Sequence, residues 1–404
     1  MLKDKPKSTN DHRAIGQNLD LFSFQEIAPG ALFWHPKGMI IFRELEKYAR
    51  KINDKGQYDE ISTPILVKKE VFEKSGHWQY FKKNMFYFKH NGDILTLKPM
   101  NCPEAAYVYN SKIRSWRDLP LRLAEIGRLH RNELSGTLGG MFRVRQITMD
   151  DAHIFCRLNQ VEDEVVKTLD EIENFYRLFG FKTDYFLATK PDKALGDQKT
   201  WDEAEKMLAN ALKRKKIKYK VAEKEGAFYG PKIEVHIHDS QGRDWQLGTS
   251  QLDFFMLPEK FNLNYSAENG EKEKPVAIHR AVFGSFERFI AILLEETGGA
   301  LPIWLSPVQV AVIPISEKFA GYAEKILKIL KENNIRAELN KANETLGKRI
   351  RAAELQKIPY ILIIGEKEEK SESVAVRERD TKKQETVKFQ KFLEQTLEKI
   401  MKKI

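Results

Sequence analysis

The stretch LHRNELSGTLGGMFRVRQITMDDAHIF, residues 129–155, reads as two strands around a glycine-bearing loop. Successive side chains on a strand point to opposite faces. Arg131 and Glu133 therefore share a face, as do Arg143, Arg145, Met149, Asp151 and His153, while Phe142 and Val144 point the other way. The linking LSGTLGGM carries three glycines and suits a loop. A hairpin that serves only the fold alternates apolar-in and polar-out. Here the polar face is a guanidinium-rich row ending in Asp-X-His, which suits the floor of a site for an anionic ligand. The plainer reading is the solvated face of an edge hairpin.

Strand patterns dominate residues 121–155 and return over 228–255, with helical stretches at 160–179 and 199–215 between them. GPKIEVHIHDSQGRDWQLGTSQLDF predicts a hairpin turning near Ser240–Gly242. PVAIHRAVFGSFERFIAILLEETGG predicts a strand, a turn at Gly284, a buried helix and a Gly-Gly stop. Residues 36–54 have helical periodicity through Met39, Ile40, Phe42, Leu45, Tyr48, Ala49 and Ile52. The expected fold class is α+β, a large antiparallel sheet with helices packed against it. After SPVQVAVIP the pattern changes to alternating strands (308–313, 335–339, 360–364, 373–379) and helices (317–333, 345–358, and one closing the chain). That predicts an α/β module with a mixed sheet, and a boundary near Pro302–Pro307 divides the chain into domains 1–304 and 305–404.

Composition narrows the partners. The chain has 404 residues, enough for two or three domains with real cores. No apolar run approaches a membrane span, and the polar start MLKDKPKSTNDHR lacks the core of a signal peptide. Two cysteines, Cys102 and Cys156, exclude a disulfide scaffold and predict a reducing, cytoplasmic location. Residues 307–404 hold 21 Lys and Arg against 15 Asp and Glu, net +6 of the chain's +10. A polyanion such as nucleic acid is the first candidate partner for that module, with an ordinary Lys/Glu-rich surface the alternative.

Arginine is the best planar, permanently charged partner for phosphate oxygens. Arg131 and Arg143 are expected on neighbouring strands, able to hold one phosphate from two sides. Arg288 sits one turn into the helix after Gly284, where a cation opposes the helix dipole unless an anion lies nearby. Cys102, His153 and His279 could give three ligands of a Zn²⁺ site with one open position. Their separations follow no local spacing rule, and Cys156 is a rival ligand. His236 and His238 share one strand face.

Several runs resemble the class II aminoacyl-tRNA synthetases, and the threonyl group among them. They are MNCPEA, RLAEIGRLHRNELSGTLGGMFRVRQITMDDAHIFC, AFYGPKIE, WQLGTSQLDF and IHRAVFGSFERFIAILLEE, and APGALFWHPKG with Pro64 resembles the first class motif. The resemblance implies ATP-dependent activation of L-threonine to an adenylate, followed by transfer to threonine tRNA. It implies Arg131 on the α-phosphate and amino-acid carboxylate, Glu133 on the adenine amino group, and Arg143 and Arg288 on the γ-phosphate. Gln246 and Thr249 would line the adenylate pocket, and Mg²⁺ would accompany ATP. It places one Zn²⁺ on Cys102, His153 and His279. Asp151 would take the threonine hydroxyl proton, with Tyr229, Gln251 and Lys232 also in the threonine site. Asn343, Glu368 and Arg377 match anticodon contacts, and a homodimer through the Pro64 region is implied. The resemblance starts without the N-terminal domain that hydrolyses seryl-tRNA in some relatives. Met149 stands where relatives commonly carry Gln, and Leu247 replaces a smaller residue. A synthetase for proline or serine is opposed by the Cys102, His153, His279 and Asp151 set. A catalytically dead RNA-binding paralogue is opposed by intact Arg131, Glu133 and Arg288.

Overall fold

The computed structural model describes residues 10–403, which divide into two compact units. One unit contains residues 24–32 and 46–291. Its centre is an eight-stranded sheet. In chain order the strands are β1 (Asp59–Glu60), β2 (Leu121–His130), β3 (Gln146–Cys156), β4 (Thr183–Ala188), β5 (Tyr219–Ala222), β6 (Lys232–His238), β7 (Asp244–Asp253) and β8 (Val276–Ser285). Their order across the sheet is β5-β4-β6-β7-β8-β3-β2-β1. The six central strands pair antiparallel, as the sequence predicts. Both edges differ, since β5 pairs β4 parallel and β1 pairs β2 parallel. The β4–β5 pair needs a crossover, supplied by the helix Gln198–Arg214.

The helix Val161–Leu178 (α1) covers one face of this sheet. Val161, Val165, Leu169, Ile172, Phe175 and Tyr176 recur at helical spacing and are buried, while Glu162, Asp163 and Glu164 favour the positive N-terminal end. Phe175 stacks on Phe283 of β8 at 4.7 Å and lies 4.9 Å from Phe289. The Tyr176 hydroxyl donates to the Val282 carbonyl at 3.0 Å. Charges on this face are closed internally. Arg280 donates to Glu171 at 2.9 Å and to Asn53 at 3.0 Å, and Arg122 donates to Glu164 at 2.6 Å.

The hairpin expectation for residues 129–155 needs one correction. β2 ends at His130 and β3 begins at Gln146. Arg131, Glu133, Arg143 and Arg145 therefore lie in the connection, not on strands. One further backbone bond, Arg131 N–H to the Arg145 carbonyl at 2.8 Å, extends the ladder before two 3₁₀ turns take over. Gly140, at φ +56°, turns the chain there.

A second irregularity matters more. The β8–β3 register shifts between Ala281 and Ser285. Buried Asp150 holds this bulge by accepting from the backbone N–H groups of Val282, Phe283 and Gly284 at 3.0–3.2 Å. Burial pushes its carboxyl up to about 7, against the nearby Arg280 charge and the bonds from Phe283 and Val282. Gly284, at φ +73°, completes the bend into the helix Phe286–Thr297 (α2).

The other unit combines residues 10–23, 33–45 and 292–403. Its sheet contains β9 (Val310–Pro314), β10 (Ala337–Leu339), β11 (Tyr360–Ile364), β12 (Ser373–Glu378) and β13 (Gln384–Lys388), ordered β10-β9-β11-β12-β13. The first three pair parallel and the rest antiparallel, a mixed sheet as predicted. Clusters around Val312, Leu362 and Phe392 and around Ala311, Ile313 and Ile361 pack its alternate strand positions. Strand β13 and the short helix Glu366–Lys370 have no counterpart in the sequence reading, because both are brief and largely polar.

Phe175 joins helix α1 to the sheet. Phe175→Ala should destabilise the protein by about 3–5 kcal/mol, the usual cost of emptying a buried aromatic site. Urea unfolding followed by tryptophan fluorescence measures it, and a loss below about 1 kcal/mol would show that α1 is anchored elsewhere.

Candidate active site

The face of the sheet opposite α1 carries a row of polar side chains set by strand register. Lys232 of β6 pairs with Gln251 of β7, Gln251 with His279 of β8, and His279 with His153 of β3. Two residues along, Glu234 pairs with Thr249, Thr249 with Ala281, and Ala281 with Asp151. Period two puts all of these on one face, while Ser250, Arg280 and Ala152 occupy the row between, on the α1 side.

One end of this face is cationic. Arg131 donates to the Pro99 carbonyl at 3.2 Å, and Arg288 donates to the Phe142 carbonyl at 3.0 Å. Arg143 is paired with Glu133 at 2.8 Å. Burial holds the Arg131 and Arg288 guanidinium groups below their usual range, and for Arg288 the nearby Arg131 and Arg143 push the same way. Three guanidinium groups in each other's field suit a multiply charged anion, which would relieve that repulsion. Asp150, through the bulge, sets where α2 starts and so where Arg288 stands.

The middle of the face is a network of paired polar groups. Lys232 contacts Glu234 at 2.5 Å, and Gln246 donates to the same carboxylate at 2.8 Å. Glu234 is thus a hub that the sequence reading missed; its signal was only its place two residues from Lys232. The Tyr229 hydroxyl donates to Gln251 at 2.7 Å, and its ring lies 4.9 Å from that of His279. The Thr249 hydroxyl is buried without a partner. His77, also missed, is buried with its Nδ1 2.8 Å from the Ser75 hydroxyl and its ring against Phe228. Met149 faces Gly127 and Ser285 across the ladder, and Leu247 is buried.

At the far end, Cys102, His153 and His279 converge. Their ligand atoms all lie within 4.8 Å of one another, although the residues are remote in sequence. Cys102 opens the helix Cys102–Asn110 (α3), and the two imidazoles come from paired strands with centroids 4.9 Å apart. The rival Cys156 is buried and outside the set. His153 Nε2 and His279 Nδ1 are buried with no hydrogen-bond partner, an arrangement costing about 1–3 kcal/mol per group unless something binds there. His279 Nε2 lies 3.2 Å from Asp253, which leaves Nδ1 as the free ligand atom. Burial lowers the His153 pKa to about 4, keeping the ring in its neutral, ligating form. One sulfur and two imidazole nitrogens fit Zn²⁺ with an open fourth position.

Asn343, Glu368 and Arg377 lie in the other unit, on three separate segments. Asn343 is exposed in the bend before the helix Leu346–Leu355, Glu368 accepts from the Gly365 N–H at 3.0 Å, and Arg377 is paired with Glu354 at 2.7 Å.

Comparison with known proteins agrees with this geometry. The family "tRNA synthetase class II core domain (G, H, P, S and T)" matches residues 81–297, and "Anticodon binding domain" matches residues 309–399. A threonine–tRNA ligase from Carboxydothermus hydrogenoformans is 49% identical over 393 residues, covering 97% of this chain and 62% of its own length. One from Caldanaerobacter subterraneus is also 49% identical, covering 97% and 61%. The chain thus spans about three fifths of the length of these curated relatives. A solved structure described as the RNA binding domain of threonyl-tRNA synthetase from Cryptosporidium parvum is 40% identical. It superimposes with a TM-score of 0.93, covering 96% of this chain and 98% of that one. Fold, register and similarity together place this chain in the class II aminoacyl-tRNA synthetase family, within its threonyl-tRNA synthetase branch.

Proposed function

We propose that the protein is a threonine–tRNA ligase: it activates L-threonine with ATP to threonyl-adenylate and pyrophosphate, then transfers the threonyl group to the 3′ end of threonine tRNA. The observation that carries this reading is the juxtaposition, on one sheet face, of an arginine cluster suited to a polyphosphate and a Cys-His-His set suited to a metal. Arg131, Arg143 and Arg288 would hold the phosphates, with Mg²⁺ sharing their charge. Glu133 would receive the adenine amino group, with Arg143, its present partner, turned to phosphate. Gln246 and Thr249 line the same face. No side-chain nucleophile is required, because the carboxylate of the amino acid attacks the α-phosphate directly; positioning and charge stabilisation supply the catalysis.

Cys102, His153 and His279 would hold one Zn²⁺. When bound, that ion supplies an open position for the amino and hydroxyl groups of threonine. Asp151, Tyr229, Gln251 and Lys232 surround the same region, Asp151 as acceptor for the hydroxyl proton. Valine is nearly isosteric with threonine and would be excluded poorly by an apolar pocket, whereas a site built around a hydroxyl rejects it strongly. Serine keeps the hydroxyl and should pass.

Residues 1–304 form the catalytic domain in this reading and 305–404 the anticodon-binding domain, where Asn343, Glu368 and Arg377 would meet the tRNA. The net +6 charge over residues 307–404 supports a polyanionic partner. Work in the cytoplasm is consistent with two free thiols. A homodimer through the Pro64 region is supported by the exposed Ile65, Leu66 and Tyr107, of which Tyr107 borders, with Pro64, a groove of about 670 Å³.

Threonine-dependent ATP–pyrophosphate exchange tests the reading. Exchange is expected with threonine and measurably with serine, at a far lower but measurable rate with valine, and not with proline; no exchange with any of the four would leave the RNA-binding paralogue. Cys102→Ser should lower bound zinc, measured by elemental analysis, and abolish threonine activation. Full activity in metal-free protein would remove the metal's role. Light scattering should give twice the chain mass, and a monomer at micromolar concentration would exclude the Pro64 interface.

A further inference from the structure

Asn101 stands immediately before Cys102, at the position that caps α3. An asparagine there normally turns its side chain onto the helix's own free N–H groups. This one makes no capping bond, and Pro103 at the start of the helix removes one of the donors. Its side chain instead enters the site and donates from Nδ2 to Asp151 Oδ2 at 3.0 Å. The residue is fully buried, and its Oδ1 has no hydrogen-bond partner. Asn101 thus forgoes a helix cap and leaves half of its amide unsatisfied, both destabilising choices. Among the described residues, the only bond its side chain makes is to Asp151.

The neighbouring strand is shaped for it. Gly127 of β2 lies under the Asn101 amide. A Cβ added at Gly127 would fall 2.4 Å from Asn101 Oδ1, 2.7 Å from Nδ2 and 2.9 Å from Cγ. Gly127 pairs across the ladder with Met149, two residues before Asp151. The absence of a side chain on β2 is therefore what allows the amide to reach β3.

We propose that Asn101 is a positioning residue for β-hydroxy amino-acid selection. Its Nδ2 fixes one oxygen of Asp151 and so leaves the other turned to the hydroxyl of the incoming amino acid. The inference rests on the threonine–tRNA ligase reading and deepens it. Asp151 is only half-buried, so without that bond its carboxylate can turn toward water and lose the hydroxyl.

Four proteins test this: wild type, the isosteric Asn101→Asp, Gly127→Ala, and the double variant Asn101→Ala/Gly127→Ala. Exchange is run with threonine and valine, alongside bound zinc, the KM for ATP, and the rise in Tm on adding threonine. Asn101→Asp keeps the volume and replaces the donor with a carboxyl oxygen that repels Asp151, so Gly127→Ala, which adds no charge, reports the displaced bond without that repulsion. Asn101→Asp should lower kcat/KM for threonine by about tenfold to a hundredfold, the worth of one hydrogen bond to a charged group. The threonine-to-valine ratio and the threonine-induced Tm rise should fall with it, while the KM for ATP and zinc content hold. Gly127→Ala, which touches no substrate atom, should shift the ratio the same way by displacing the amide. The double variant should be no worse than Asn101→Asp, since the new methyl occupies vacated space. A wild-type threonine-to-valine ratio in Asn101→Asp would overturn the proposal, as would a loss of zinc that accounts for the whole defect. Wild-type protein that exchanges with no amino acid would instead sink the ligase reading.

Discussion

Strand register is the constraint on which the rest of this structure depends. The ladder from β6 through β7 and β8 to β3 brings Lys232, Gln251, His279 and His153 into one row. A slip of one residue in the pairing of β8 would exchange its two faces, burying His279 under α1 and turning Arg280 into the site. Two things prevent it. Arg280 is locked to Glu171 and Asn53, and the aromatic stack of Phe175, Phe283 and Phe289 accepts only one arrangement. The bulge held by Asp150 then ends the regular ladder where α2 must begin. The helix face therefore specifies the site face without touching it.

The two faces treat charge in opposite ways. Under α1, Arg122 and Arg280 each meet a carboxylate, and little is left for a ligand. On the site face, among the described residues, Arg131 and Arg288 hydrogen-bond only to backbone carbonyls, and burial lowers the pKa of both. A partly buried charge without an ion-pair partner costs stability. Such a cost is retained where an anion offsets it during turnover. The same logic applies to His153 Nε2, His279 Nδ1 and the Thr249 hydroxyl, all buried without partners. The protein stores its destabilising choices on the face where a ligand would remove them.

Much of this was legible beforehand. Helix α1, the 232–253 hairpin and the strand–turn–helix around Gly284 follow from periodicity and turn residues, because apolar spacing and glycine positions act locally. The arginines of the 131–145 connection were read as an anion site, and wrongly as strand residues. Alternation continued past the point where backbone pairing stopped, since a loop packed against a sheet also alternates apolar and charged contacts. The parallel edge strands escaped because Asp59–Glu60 and Tyr219–Ala222 are short and exposed, with no buried face to impose a pattern. Glu234 and Asn101 escaped because their importance lies in what they touch.

The sequence by itself determined which elements form, which apolar faces they bury, where the chemistry-bearing residues sit along the chain and, through the motif resemblance, the family. Those properties depend on neighbours within a few residues. Only the tertiary structure decided that Cys102, His153 and His279 meet, that Cys156 does not join them, and that Asn101 abandons its helix for Asp151. Those meetings join segments tens to more than a hundred residues apart. They are fixed by ladder register and by space left empty at Gly127, neither of which exists until the sheet has assembled.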